Sequence, residues 1–466
     1  MNSGPSRLEI LTALHVALLG LFSSWAIGGG VGWARLVICI IGSLAPLITL
    51  AAVYEQRADR HHSPRIFHTL WPLLAFNALV VFGTFQPSLR VAFIEGGNVL
   101  VPRNDLSFSP SSARPELARQ ALWLFDAIVL SCFNLLLAVN HRRTLRTLLL
   151  VIASNALVLA VFGSIQKFTG ANGLFFNHVA SPNSSFFASF IYHNHWGAFV
   201  VLMLAVCLGL LFNLRPWSGY RDFWHSPALA AVIAIFFIAV TIPLSASRSC
   251  SAIALLLLTT SLLHGLRRVA HHGRSQGKSA VGPMTAIFLT VIVAIAFLFL
   301  LARQSIEMRL TDTHQQLAHM SAEGSIGGRA QLYSDTWHMA RDRPWFGWGL
   351  GSYGTVFSFY NTQTSPIDKL PVYYEDAHSD WLQLFAETGA IGIVAYLLFL
   401  AAPLSTVRRL QKTSALPGYL LAGCGLILLY AWIEFPFGSP AVTIAFWTCF
   451  FCAVRWAQFD QHERVG

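Results

Sequence analysis

The chain has 466 residues, of which 55% are hydrophobic and 11% charged, with a formal net charge of +10 and a mean hydropathy of +0.56. A soluble domain carries about 25% charged residues, so the composition excludes a soluble globular protein and marks an integral membrane one. The excess positive charge lies in scattered loop clusters, which argues for membrane topology and against a nucleic-acid footprint.

A membrane span needs about 20 largely apolar residues, and reading by that length predicts about twelve. They lie near Ile10–Ile27, Leu36–Tyr54, Ile66–Phe85, Ala118–Val139, Leu145–Ile165, Trp196–Leu214, Ala228–Ala246, Ser249–Leu266, Val281–Leu301, Thr388–Val407, Gly418–Ile433 and Ala441–Trp456. The runs are continuous rather than alternating, which predicts helices and not a barrel. The expected fold is one all-α polytopic membrane domain over residues 1–466. The first run lacks a small-residue cleavage site and reads as a true span.

Basic clusters at Arg57/Arg60/Arg65, Arg142/Arg143/Arg146, Arg215/Arg221, Arg267/Arg268/Arg274/Lys278 and Arg408/Arg409/Lys412 fall on alternate loops. The positive-inside rule assigns those loops and both termini to the cytoplasm. Four loops then face outward: 86–116, expected to lie along the membrane surface; 167–194; the tight turn 245–249; and the large loop 302–387 between spans nine and ten. All four can meet in one site. Cys39, Cys132, Cys207, Cys250, Cys424, Cys449 and Cys452 sit in or at the ends of apolar runs. Cys449 and Cys452 share a helix face, but small buried hydrophobes explain them better than a metal site.

The outward segments carry a resemblance. The run Tyr192-His193-Asn194-His195-Trp196-Gly197-Ala198 resembles the Asn-His signature that opens a span in the O-antigen ligase and polymerase family of bacterial membrane glycosyltransferases. Leu244-Ser245-Ala246-Ser247-Arg248-Ser249 resembles that family's Ser-Arg turn. Arg329 to Gly392 resembles its large periplasmic loop, through Pro344-Trp345-Phe346-Gly347-Trp348-Gly349 and Ala377-His378-Ser379-Asp380-Trp381-Leu382-Gln383 to Glu387-Thr388-Gly389. Roughly the first 180 residues match only in hydropathy. One departure is Ser379, where many relatives have Asn after the loop histidine.

The resemblance implies a GT-C-like enzyme of the bacterial inner membrane, needing neither metal nor cofactor, with its site facing the periplasm. The implied donor is a glycan on a polyprenyl (undecaprenyl) diphosphate, and the implied acceptor a hydroxyl of a glycan or lipid A core. Without a metal, fixed cations must stabilise the departing diphosphate, and arginine offers a bidentate fork. That role falls to Arg248, at the membrane surface, and Arg329, on the large loop. An acceptor hydroxyl must also lose a proton, work that suits a histidine side chain, so His378 is the implied catalytic base. His193, Asn194, His195, Asp126, Tyr373 and Tyr374 are candidate donor or acceptor contacts.

Each has a plainer reading. Arg248 could snorkel at a helix end, Arg329 could pair with Asp335, and the His378-Ser379-Asp380 run could cap a helix. His193 and His195 sit where helix caps are common. Tyr373, Tyr374, Trp345 and Trp348 could stack on sugars or form an aromatic belt. Asp126, costing about 2.5–3.5 kcal/mol at mid-span on insertion scales, calls for a partner and could orient an arginine, whereas Glu434 is expected to be solvated. A ligase, a polymerase and a protein O-oligosaccharyltransferase all fit this donor chemistry. A transporter of small solutes or inorganic carbon instead requires broken spans with mid-depth charges, and here the polar groups cluster on one face.

Overall fold

The computed structural model of the protein describes residues 4–58, 64–94, 97–103, 106–183, 185–214, 227–275, 281–282, 285, 328–364, 370–407 and 413–462. In chain order its main helices are α1 (Arg7–Trp25), α2 (Gly32–Gly42), α3 (Ala45–Ala58), α4 (Pro64–Thr84), α5 (Pro115–Ala138), α6 (Arg142–Phe168), α7 (His193–Phe212), α8 (Pro227–Leu244) and α9 (Arg248–Ser275). The polar α10 (Gly328–Asp342), α11 (Asp380–Ser405), α12 (Ala415–Tyr430) and α13 (Pro440–His462) follow. Among the described residues nine helical stretches are long and apolar enough to cross a membrane, with α2 and most of α3 counted as one; the apolar parts of α4 and α12 are shorter. The chain is therefore a multi-pass helical membrane protein. The expected span over 281–301 falls almost wholly outside the described residues, and the loop's first part, 302–327, entirely so.

α7 is the pivot of the bundle. It is buried without a break from Trp196 to Leu210, as expected of a helix that is apolar all round, and it packs against α12, α8, α9 and α13. α5 makes a second hub with α13, α2, α3 and α1, while α11 lies along α4. One end of the bundle is tied by polar contacts. The fully buried Glu9 of α1 accepts from the His141 backbone N–H at 3.0 Å and meets its Nδ1 at 2.8 Å. Arg142 pairs with Asp460 at 2.6 Å, and Asp460 accepts from the Ser414 N–H and hydroxyl at 2.7 and 2.8 Å. The start of α1, the α5–α6 turn, the start of α12 and the end of α13 are thus fastened together.

The opposite end carries the described part of the large loop, residues 328–364 and 370–387, which is folded. Leu332, Met339 and Ala340 of α10, with Trp348, Tyr353, Val356 and Phe357, form a second core with Leu89, Ala113 and Ala386. Leu89 begins a feature that corrects the all-α expectation: β1 (Leu89–Ile94) and β2 (Gly97–Pro102) pair as an antiparallel hairpin. β1 carries Val, Phe and Ile and β2 two Val, residues favoured in strands, and each strand is far too short to register as a span. The buried Arg343 locks the hairpin region to the loop, donating to Ser111 Oγ at 2.6 Å and to the Arg103 carbonyl at 2.7 Å.

Two sequence segments that stand far apart form one backbone clasp. Trp348 and Gly349 donate to the carbonyls of Ala386 and Glu387 at 3.0 and 2.8 Å, and Ala390 and Ile391 donate back to Pro344 and Trp345 at 2.8 and 3.2 Å. The clasp breaks α11 at Gly389, where φ is 65° and ψ −172°, a region essentially closed to other residues. A Cβ there would lie 2.3 Å from the Trp345 carbonyl carbon. The Glu387 carboxylate completes the joint by accepting from the N–H groups of Gly351 and Tyr353 at 2.9 and 3.0 Å.

Candidate functional site

The turn after α12 is pinned from two sides, and that pinning builds the site. The head of α11 binds it through Asp380 N–H to the Glu434 carbonyl at 3.2 Å, and binds the last turn of α12 through Trp381 Nε1 to the Leu428 carbonyl at 2.8 Å. Asp380 Oδ2 accepts from Phe437 N–H at 3.0 Å. From the head of α7, His195 Nε2 meets the Phe435 carbonyl at 3.0 Å; a carbonyl only accepts, so this nitrogen carries the proton. Between these clamps the Glu434 side chain is only 3% exposed, which overturns the expectation that it is solvated. It lies under three elements that converge from far along the chain.

Glu434 is the meeting point of the cluster. Its carboxylate accepts from Arg329 of α10 at 2.5 Å, from Asn194 Nδ2 of α7 at 2.9 Å and from the Tyr192 hydroxyl at 3.2 Å. His378 approaches with Nδ1 at 3.9 Å, too long for a hydrogen bond; that nitrogen is buried and has no hydrogen-bond partner. Burial alone would raise the Glu434 carboxyl, but the His378 imidazole and the Arg329 guanidinium more than offset it and hold it below the usual carboxylate range. Given the 3.9 Å separation, the short Arg329 bond is the firmer of the two causes. Burial likewise works against the Arg329 cation, and Glu434 outweighs it, raising the guanidinium further. Burial, then Glu434, push the Tyr192 phenol up, so it stays a donor.

His378 is held in a strained place. Its φ is +51°, uncommon for a residue other than glycine and a feature that gathers at functional sites. The next residue, Ser379, caps α11, its Oγ accepting from Leu382 N–H at 3.3 Å. Capping and the special histidine are therefore neighbours, not alternatives. The ring stands edge-on to Phe435, centroids 4.7 Å apart, with 28% of the side chain exposed. Tyr333 of α10 donates to the His378 carbonyl at 3.0 Å, joining the segment that bears Arg329 to the one that bears the imidazole.

The Ser-Arg turn enters through Asn194. Ser247 Oγ donates to Asn194 Oδ1 at 2.6 Å, in a turn where Ala246 also has positive φ, 65°. Arg248 is the first residue of α9 and is exposed, one residue from this bond and not among the partners of Glu434. His193 packs edge-on to Tyr192 at 4.9 Å.

Other expected residues are placed elsewhere. Asp126 accepts from Asn77 at 3.0 Å between α5 and α4, which supplies the partner its depth calls for. Tyr374 donates to Gln363 at 3.0 Å and Tyr373 is exposed, so neither joins the cluster. Trp348 is buried, with Nε1 on the Met339 carbonyl and Arg343 over its ring at 4.1 Å, whereas Trp345 is exposed. Asp335, the alternative partner for Arg329, instead takes Gln331 and Thr362. Among the described residues no three His, Cys, Asp or Glu side chains are grouped so as to hold a metal ion.

A protein-family model described as O-Antigen ligase matches residues 233–397, so a domain of that kind is present over part of the chain. The matched stretch contains Arg248, Arg329 and His378 but stops short of Glu434 and begins after Asn194. No curated protein matches the chain.

Proposed function

We propose that the protein is an O-antigen ligase-like glycosyltransferase that moves a glycan from a polyprenyl diphosphate to a hydroxyl acceptor on the outer face of the bacterial inner membrane. The O-antigen ligase domain and the helical membrane architecture support the general class. One observation carries the finer reading: Glu434 gathers Arg329, Asn194 and His378, and Asn194 is bonded to the Ser-Arg turn. One cation suited to a diphosphate, Arg329, and an imidazole suited to a hydroxyl are thereby held within one cluster, and Arg248 stands next to the Ser247 that bonds Asn194.

The reaction needs no metal in this reading. The acceptor oxygen attacks the anomeric carbon, the bond to the diphosphate oxygen breaks, and the electron pair leaves with the polyprenyl diphosphate. Arg329 and Arg248 take up the charge that develops on the leaving group, and His378 takes the acceptor proton on Nε2. A positioned base of this kind contributes about 100- to 10,000-fold in rate. A polymerase or a protein O-oligosaccharyltransferase would use the same steps and differ in the product.

The test pairs binding of a labelled polyprenyl-diphosphate glycan with transfer to acceptor. Arg248→Ala and Arg329→Ala should weaken donor binding, with lysine restoring it only in part because a point charge lacks the planar fork. His378→Ala should bind donor nearly as the wild type does while turnover falls at least about 100-fold. Full transfer by His378→Ala would remove it from the mechanism. Unchanged donor affinity in both arginine variants would leave those side chains as snorkels. Polymer moved to a new acceptor marks the ligase; a longer chain on the carrier marks the polymerase.

A further inference from the structure

We infer that the Arg329–Glu434 pair is a donor-gated switch, in which Glu434 stands in for the diphosphate until donor arrives and then becomes the positioning residue for His378. This deepens the reading above and rests on it. The first observation is competition for one cation. Arg329 is 54% exposed yet bonded at 2.5 Å to a carboxylate that is 3% exposed, so its guanidinium is open to an incoming anion while its charge is already neutralised. Carboxylate and phosphate oxygens take the same guanidinium fork. A diphosphate carries more charge than one carboxylate, so it can draw Arg329 away.

The second observation is an orphan. His378 Nδ1 is buried, has no hydrogen-bond partner and faces Glu434 Oε2 from 3.9 Å. A buried polar atom without a partner is uncommon in folded proteins. A carboxylate shift of about 1 Å would bring the two within hydrogen-bond distance. Glu434 can make that shift and remain satisfied, because Asn194 and Tyr192 still donate to it after Arg329 leaves.

Donor binding therefore does two things. It places Arg329 on the diphosphate, and it releases Glu434 to accept from Nδ1–H, which fixes the tautomer with Nε2 free to take a proton. The base is armed on the donor-loaded protein and idle on the empty one, so the order is donor first and acceptor second. The charged and titratable groups around His378 include Glu434, Tyr192, Asp376 and Tyr333, with Arg329 on the far side of Glu434.

Undecaprenyl diphosphate in lipid nanodiscs is the probe. Glu434→Gln removes the competing charge at nearly constant size, so it should bind the probe about tenfold more tightly while glycan turnover at saturating donor falls about 100-fold. A merely structural carboxylate would give weaker binding and slower turnover together. In the Arg329→Ala background the same Glu434→Gln change should leave affinity unmoved, since no competition remains to be relieved. Should Glu434→Gln fold poorly, the wild type answers instead: the 15N-imidazole signals of His378, assigned by their loss in His378→Ala, should shift toward the fixed Nδ1–H tautomer when the probe is added. Arg329-dependent binding that Glu434→Gln does not tighten, or His378 signals that ignore the probe, overturns the switch alone. A probe that fails to bind, or that binds Arg329→Ala equally well, overturns the proposed function and the switch with it.

Discussion

Asn194 uses both amide N–H groups and its side-chain oxygen in the cluster. Its amide N–H groups serve Glu434 and the Tyr192 hydroxyl, both at 2.9 Å, and its oxygen accepts from Ser247 at 2.6 Å. An aspartate there could donate to neither and would set a second carboxylate against Glu434. Asn194→Ala should cost about 1–3 kcal/mol through the bonds it strands, and Asn194→Asp more, because repulsion is added. Thermal melting of the two purified variants checks this; equal melting would mean that Glu434 does not feel the charge at 194. Arg248, Arg329 and His378 are singled out in sequence by the resemblance of the polar segments between the apolar runs, and folding places Arg329 and His378 beside Glu434. Glu434 was not legible in this way. Its partners lie 240 and 105 positions away, and only folding brings them over it. The available signal was local: an acidic residue at the end of an apolar run, on the same expected face as the large loop, followed by Phe435-Pro436-Phe437.

At the level of elements, apolar runs foretold where helices lie better than where they begin. α11 starts at Asp380, ahead of the apolar run that starts near Thr388, because Ser379 caps it and the clasp supports its first turns. The hairpin escaped a reading tuned to long spans, since six-residue strands sit below that length. The Trp345-Phe346-Gly347-Trp348 and Glu387-Thr388-Gly389 segments were legible as motifs, but their purpose, a mutual backbone clasp, was not, because hydrogen bonds between main chains leave only the glycines as a trace. Gly389→Ala tests the clasp. The backbone region alone costs about 1–3 kcal/mol, and the 2.3 Å approach to Trp345 adds a clash, so folded yield and melting temperature should drop sharply. Gly425→Ala in α12 is the control, since a Cβ there meets nothing within 4 Å; a helix-interior alanine is even favoured by about 0.5–1 kcal/mol. Equal behaviour of the two variants would mean that the clasp is not what shapes α11.

For the whole molecule, the alternation of basic loops predicts which segments share an end, and the contacts group them that way: Glu9, His141, Ser414 and Asp460 at one end, Asn194, Ser247, His378 and Glu434 at the other. Which end faces outward is the remaining expectation. All seven cysteines are buried and free, so a thiol introduced at the exposed Arg274 or Thr364 should be the reactive one. A membrane-impermeant maleimide on intact spheroplasts should label Thr364→Cys and spare Arg274→Cys until the membrane is opened. The reverse pattern would put the site on the wrong side for an externally presented donor.

The cap of α11 also sets a height. His378 stands just ahead of a helix whose last charged residue before its uninterrupted apolar stretch is Glu387. At 1.5 Å rise per residue the eight residues from Asp380 to Glu387 carry the imidazole roughly 12–15 Å above the start of that stretch. The helix is in effect a ruler planted in the bilayer. In the proposed reaction, a hydroxyl displayed on a short stem from a lipid anchor in the same leaflet would meet the imidazole near its own level, whereas one at the tip of a tall soluble stalk would have to bend back toward the membrane.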